Sequence, residues 1–273
     1  MKSEDRNRQF ESIDFRERVG LLKELGHLAH RLLMNHYGHV EDYEFKGEVD
    51  IVTVADKAVE NAVVEKIKTL FPDDSILAEE GGSYRGTSGW RWVIDPLDGT
   101  TNFAHSYPFF AFSCGLRHSD DTKAGLVEIP VMGETFFATK GGGAFLNEKP
   151  IHVSTVNSLR QALLVTGLPY FRATVIDELF APMRQVALKG QGLRRGGAAS
   201  VDLCYVACGR LDGYFEIGLK PWDMAAGELI VREAGGRLTD YKGNPFTIFG
   251  KELVATNAMI HNELVEEVLN PDE

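Results

Sequence analysis

The hydrophobic period changes twice along this chain, and those changes limit what it can fold into. From Ile13 to about Tyr37, the residues Val19, Leu22, Leu25, Leu28, Ala29, Leu32 and Leu33 recur at helical spacing, and Gly38 is a suitable stop. Residues 1–9 before it are polar and are predicted to fray. Lys46 to Val54 reads as a loop entering a strand. A second helix is predicted from about Ala55 to Phe71, with Val59, Ala62, Val63, Ile67 and Leu70 on one side and Pro72 as its end. Short β-rich runs then take over: Ser75–Ala78, Trp90–Ile94, Phe109–Leu116, Ala124–Val131 and Glu134–Ala138. Gly, Pro and Asp punctuate them, as in a largely antiparallel sheet. Around Asn147–Ser154 the pattern shifts again. Strand-like segments at 162–167, 213–218 and 253–257 alternate with helical ones from about Thr174 to Leu188, at 201–209, at 222–236 and at the C-terminus. The pattern divides the chain into an N-terminal α+β half (1–146) and a C-terminal α/β half (147–273). No repeat, low-complexity tract or flexible linker separates them, so an extensive shared interface is expected.

The 273 residues are enough to bury a sizeable core without disulfides or a structural metal. The 29 Lys plus Arg against 40 Asp plus Glu give a net charge of -11. That balance argues against a nucleic-acid partner, because phosphate backbones are held by clustered cations. Cys114, Cys204 and Cys208 are too few and too irregular for a disulfide framework, which points to a reducing, cytoplasmic compartment. The first 15 residues lack the apolar core of a signal peptide, and no apolar run reaches the roughly 18 residues that span a bilayer. No membrane partner is expected.

The chemistry is concentrated in Trp-Val-Ile-Asp-Pro-Leu-Asp-Gly-Thr-Thr-Asn-Phe, residues 92–103. An apolar strand delivers Asp95 to its end, Pro96 stops the ladder, and Asp98 follows three residues later across a turn that Gly99 completes. Two anions held close repel unless a cation sits between them. Hard oxygen ligands suit Mg²⁺, Mn²⁺ or Ca²⁺. Taken alone, the segment reads equally well as an Asx-type turn. Two further acidic ends shift that balance. Ile-Leu-Ala-Glu-Glu-Gly-Gly (76–82) ends a strand in Glu79 and Glu80, of which at most one faces such a cluster, because neighbours on an extended chain point opposite ways. Asp223, in the first turn of the 222–236 helix, is either a cap or a third ligand source. Gly99, Thr100, Thr101 and Asn102 follow the acidic turn directly; a helix starting there would offer N–H groups to a phosphate.

These motifs, in this order, resemble the inositol monophosphatase family of Mg²⁺-dependent, lithium-sensitive sugar phosphatases. The resemblance runs from about Lys46 to the C-terminus. It is carried by residues 50–60 (DIVTVADKAVE), 76–82, 92–103, 139–154 (TKGGGAFLNEKPIHVS) and 213–236 (GYFEIGLKPWDMAAGELIVREAGG). It implies a layered αβαβα sandwich of the fructose-1,6-bisphosphatase type, combining α+β and α/β halves, with two to three Mg²⁺ per active site. Glu79, Asp95 and the carbonyl of Leu97 would hold one metal, and Asp95, Asp98 and Asp223 a second. A third would be held through waters near Glu79. Thr100, bonded to Asp56, would orient the attacking water together with Glu79. Gly99, Thr100 and Thr101 would hold the phosphate, and Glu216 and Ala199 would line the polyol pocket. Lys46 matches a loop lysine near the site at a spacing one residue short of the family's. Ala198 stands where many relatives carry a small hydroxyl residue. Relatives are usually dimers.

The resemblance implies a phosphomonoester hydrolase, with myo-inositol 1-phosphate the first candidate substrate and direct water attack the mechanism. The alternatives are a fructose-1,6-bisphosphatase or dual-specificity enzyme, a 3'(2'),5'-bisphosphate nucleotidase, and a non-catalytic partner of the transcription machinery. His27, His30, His36 and His39 lack the cysteine or carboxylate that would complete a zinc site. Cys204 and Cys208 read as core residues. Gly141–Gly143 reads as a turn, because it lacks the ending of a phosphate-binding loop. Arg194-Arg195 reads equally as a substrate or partner contact and as a solvated pair.

Overall fold

The computed structural model of the chain describes residues 3–39, 43–46 and 51–270. Asp50, the first residue of the 50–60 motif, and most of the loop before it lie outside the described residues. The helical period of residues 13–37 produces α1 (Ser3–His36), which begins well before its first apolar position. The predicted fraying of residues 3–9 is therefore corrected. Once a long segment is helical, each added residue gains a hydrogen bond without a new nucleation cost. Gly38 follows with φ +81°, a conformation that suits glycine. A short antiparallel pair, β1 (Glu44–Phe45) and β2 (Ile51–Val52), precedes α2 (Val54–Leu70), whose start is fixed by a capping box between Thr53 and Asp56.

Eight strands form the first sheet: β3 (Ser75–Ala78), β4 (Gly82–Tyr84), β5 (Trp90–Asp98), β6 (Ala111–His118), β7 (Asp121–Ile129), β8 (Glu134–Thr139), β9 (Gly143–Leu146) and β10 (Lys149–Pro150). A five-residue helix, α3 (Thr100–Ala104), interrupts them after β5. Every neighbouring pair is antiparallel except β3 and β5, which are parallel. The second sheet follows in β11 (Leu163–Thr166), β12 (Gly192–Arg194), β13 (Gly213–Ile217), β14 (Arg237–Thr239) and β15 (Glu252–Thr256), in the order β12-β11-β13-β15-β14. Its helices are α4 (Ile176–Lys189), α5 (Ala199–Ala207), α6 (Pro221–Glu233) and α7 (His261–Leu264), the last continued by a π turn (Val265–Leu269).

Strand alternation divides the apolar side chains among three interlayer cores. In β5, Trp92 and Ile94 face α1 and α2, whereas Val93 faces the other way, into the space shared with α5 and α6. In the second sheet, Val165, Tyr214 and Leu253 enter that same central space. Leu164, Phe215 and Val254 turn outward onto Val186 of α4, Leu264 of α7 and Val268. The layers are therefore α1/α2, first sheet, α5/α6, second sheet, α4/α7. This is the layered sandwich that the resemblance implied.

Candidate active site

The parallel pairing of β3 and β5 brings the first two acids together. Its register sets Ala78 opposite Ile94, and the N–H of Glu79 donates to the carbonyl of Ile94 at 3.3 Å. Glu79 and Asp95 thus leave adjacent strands at the same end. Pro96 does not end β5 as expected. The ladder with β6 breaks after Asp95↔Ser113 and resumes at Asp98↔Ala111. The irregularity falls where proline removes a donor, and the strand continues past it as a bulge. Asp98 then reaches the same cavity as Asp95.

Gly99 follows with φ +91°, and α3 begins at Thr100. A Cβ at Gly99 would also lie 3.0 Å from the carbonyl oxygen of Phe109, so only glycine fits this turn. The hydroxyl of Thr100 faces two acceptors, Oδ1 of Asp56 and the carbonyl of Leu97, each at 3.0 Å. Asp56 is fully buried behind it, outside the cavity wall. Its other oxygen accepts from the N–H and hydroxyl of Thr53.

Asp223 arrives on α6, where Pro221 occupies the first turn. One of its oxygens accepts the Lys220 N–H at 2.7 Å. Asp223 caps α6 and at the same time lines the cavity. The helix is seated closely on the first sheet. A Cβ at Gly115 of β6 would lie 2.7 Å from the Cβ of Ala225, and one at Gly125 of β7 would lie 2.8 Å from the carbonyl oxygen of Ala226.

The resulting cavity, of about 200 Å³, is lined by Glu79, Asp95, Leu97, Asp98 and Asp223 on its acidic side and by Gly99, Thr100 and Thr101 at the turn. Ala199 and Glu216, the rest of the expected set, also line it. Of the two glutamates that end β3, only Glu79 lines this cavity; the N–H of Glu80 donates to Glu60. Burial and mutual repulsion mark the group. Asp95 is pushed well above the ordinary carboxylate range by burial, then by the charges of Glu79, Asp98 and Asp223. Asp223 is likewise raised by burial and by Asp98. Asp98 is raised by burial, against the N–H and hydroxyl of Ser200, both 2.6 Å from its Oδ2. Glu79 is pushed up to about 7 by burial, although Lys46 opposes the shift.

An all-oxygen, anionic and desolvated donor set is what a hard divalent cation requires. Among the described residues no three acidic, histidine or cysteine side chains stand, as they are, in an arrangement that could hold a metal ion. One oxygen of each carboxylate is held instead by a local donor: Lys46 Nζ on Glu79 at 2.9 Å, the Leu97 N–H on Asp95 at 3.0 Å, Ser200 on Asp98 and Lys220 on Asp223. The charge arrangement outweighs this, because such bonds engage only part of each carboxylate and the repulsion among the four persists.

Some neighbours were not singled out in the sequence. Ser200 and Glu60 gave no signal, since no short spacing links them to Asp98 or Glu80. Asp202 on α5, likewise without a signal, also lines the cavity; so does Arg195, for which a substrate contact was one of the readings. Asn102 donates to the carbonyls of Phe109 at 2.7 Å and Gly196 at 3.1 Å, fastening the 196–197 turn to α3. Lys46 does reach the site, despite its short spacing. It donates to Glu80 as well as Glu79.

Known proteins share this sequence pattern and fold. The sequence profile of the inositol monophosphatase family matches residues 16–271. The chain is 47% identical to an inositol-1-monophosphatase of Synechocystis sp. over 230 residues, covering 84% of this chain and 80% of the relative. It is 42% identical to the Nus factor SuhB of Pasteurella multocida over 224 residues, covering 82% and 84%. The crystal structure of the extragenic suppressor protein suhB from Bartonella henselae superposes with a TM-score of 0.90 at 36% identity, covering 94% of this chain and 100% of that one. From motif order, layered fold and profile match together, the chain belongs to the inositol monophosphatase family.

Proposed function

We propose that this protein is a Mg²⁺-dependent phosphatase of small phosphorylated polyols, with myo-inositol 1-phosphate as its substrate. The observation that carries the reading is the convergence of Glu79, Asp95, Asp98 and Asp223, from three separated stretches of chain, on one cavity beside the Gly99–Thr100 turn. Glu79, Asp95 and the Leu97 carbonyl would hold one cation, and Asp95, Asp98 and Asp223 the second, with a third near Glu79. Bound Mg²⁺ supplies charge neutralisation and acidifies water.

The chain's own residues do the rest. The N–H groups of Gly99 and Thr100, with Thr101 beside them, hold the phosphate oxygens at the start of α3. The Asp56–Thr100 pair fixes the hydroxyl that, with Glu79, receives and orients the attacking water. Phosphoryl transfer needs positioning and charge stabilisation more than covalent help, so we assign direct in-line attack by water, with no phosphoenzyme. Ala199 and Glu216 face the sugar. Burial pushes Glu216 up to about 7, and Tyr214 donates its hydroxyl to it.

Free cysteines at 114, 204 and 208 support a cytoplasmic location. Among the described residues no helix is long and apolar enough to cross a membrane. Phosphate release from myo-inositol 1-phosphate, with and without Mg²⁺, tests the assignment. Fructose 1,6-bisphosphate and adenosine 3',5'-bisphosphate in parallel rank the alternative substrates. Inactivity of the pure protein across that panel, with Mg²⁺ and with Mn²⁺, would favour the regulatory reading, to which the relative named as a Nus factor lends support.

A further inference from the structure

Two buried carboxylates, Asp56 and Glu60, stand one helical turn apart on the same face of α2. Neither lines the cavity. Asp56 backs Thr100. Glu60 backs the turn that follows β3. Its Oε2 accepts the N–H of Glu80 at 2.9 Å. Its Oε1 stands against Gly81, where a Cβ would lie only 2.6 Å away, so the carboxylate keeps this seat because residue 81 carries no side chain. Burial pushes Glu60 up, and the N–H groups of Glu80 and Gly81 oppose the shift. Desolvating a carboxylate is costly where an apolar side chain would pack without penalty. The turn it holds carries two successive glutamates with different placements. Glu79 lines the cavity and Glu80 does not, yet Lys46 Nζ reaches both, at 2.9 and 2.6 Å. Lys46 therefore does not decide between them. The backbone does: the Glu79 N–H is anchored on Ile94 of β5 and the Glu80 N–H on Glu60 of α2. With consecutive N–H groups tied to two different elements, the chain at 79–80 is held in one orientation, and its neighbouring side chains point apart.

We propose that Glu60 is a positioning residue for the cation site that Glu79 would complete, holding the 80–81 turn so that Glu79 faces the cavity and Glu80 faces away. It acts through Glu79 and touches neither ion nor substrate. One face of α2 thereby supports both groups that orient the attacking water: Asp56 behind Thr100, and Glu60 behind Glu79. The inference deepens the reading of the site as a Mg²⁺-dependent phosphatase and rests on it.

The test measures Mn²⁺ binding to metal-free wild type, Glu60→Gln and Glu60→Ala, read by the electron paramagnetic resonance of the free ion. Hydrolysis of myo-inositol 1-phosphate is followed alongside over a range of Mg²⁺. Glu60→Ala should weaken one Mn²⁺ by about a hundredfold and spare the other. Glu60→Gln keeps the volume and one acceptor for the Glu80 N–H, so its loss should be only about tenfold. At saturating Mg²⁺ the defect should stay in kcat while KM for the ester holds, because the phosphate seat is built on β5 and α3. Should Glu60→Ala not fold, the Mn²⁺ affinity of Glu60→Gln decides by itself. Variants that melt lower but bind both Mn²⁺ as wild type does would reveal a staple of the fold only, and would overturn the proposal. A wild-type kcat and Mg²⁺ requirement in either folded variant would overturn it too. Wild-type protein that binds Mn²⁺ but releases no phosphate would overturn the phosphatase reading instead, while the Mn²⁺ comparison still decides the role of Glu60.

Discussion

Asp95 bears a marked electrostatic conflict, since burial and the charges of three other carboxylates all push it up. Asp95→Asn should relieve that repulsion, so the metal-free variant should melt no lower than wild type. Mg²⁺-dependent turnover should fall by more than about a hundredfold, read by phosphate release alongside far-UV circular dichroism. The same conflict sets a pH dependence. Glu79 rises from 4.5 in the unfolded chain to about 7 in the folded one. Between those values the folded metal-free protein binds more protons than the unfolded chain, so its stability is greatest on the acid side and falls as pH rises through the window. Melting curves in chelator should therefore shift downward from pH 5 to pH 8. Added Mg²⁺ should raise them more at pH 8, where its ligands are ionised, by about 2.7 kcal/mol at a hundred times its Kd. At this scale the sequence was informative where an acid ended an apolar run, as at Asp95, Asp98 and Glu79. It was silent where a contact joins remote residues: Ser200 donates to Asp98 across a gap of 102 positions.

The element that decides the geometry is α6, because it carries Asp223 and is seated on β6 and β7 through two glycines. Gly115→Ala would place a methyl 2.7 Å from the Cβ of Ala225, forcing the helix outward. Overpacking of this kind costs about 1–3 kcal/mol. Because Asp223 is two residues from Ala225, the Mg²⁺ concentration for half-maximal activity should rise as well. Gly20→Ala is the control. It lies on an exposed face of α1 with nothing within 4 Å of its Cβ, so it should stabilise by about 0.5–1 kcal/mol and leave the Mg²⁺ requirement alone. Most elements were legible from hydrophobic period, including the strand–helix alternation after residue 160. The start of α1 was not, because extension of an existing helix needs no apolar signal. Nor was the continuation of β5 past Pro96, because a bulge preserves pairing that proline alone would end.

Taken as a whole, the molecule leaves several apolar side chains of one helix exposed: on α4, Ile176, Phe180 and Leu188 are 41%, 53% and 66% exposed. The five-layer order was legible only through resemblance, since period alone yields strands and helices without saying which faces meet. What composition did indicate, a chain able to bury a core without cross-links, is met by three separate cores and free thiols.

The first sheet is complete by residue 150, and it already carries Glu79, Asp95 and Asp98. The fourth acid comes more than seventy residues later, on a helix that must thread between two sheets. On the proposed reading of the site, a chain that has finished only its first sheet would lack one of the four acids, and the centre would be complete only once α6 has been translated and docked.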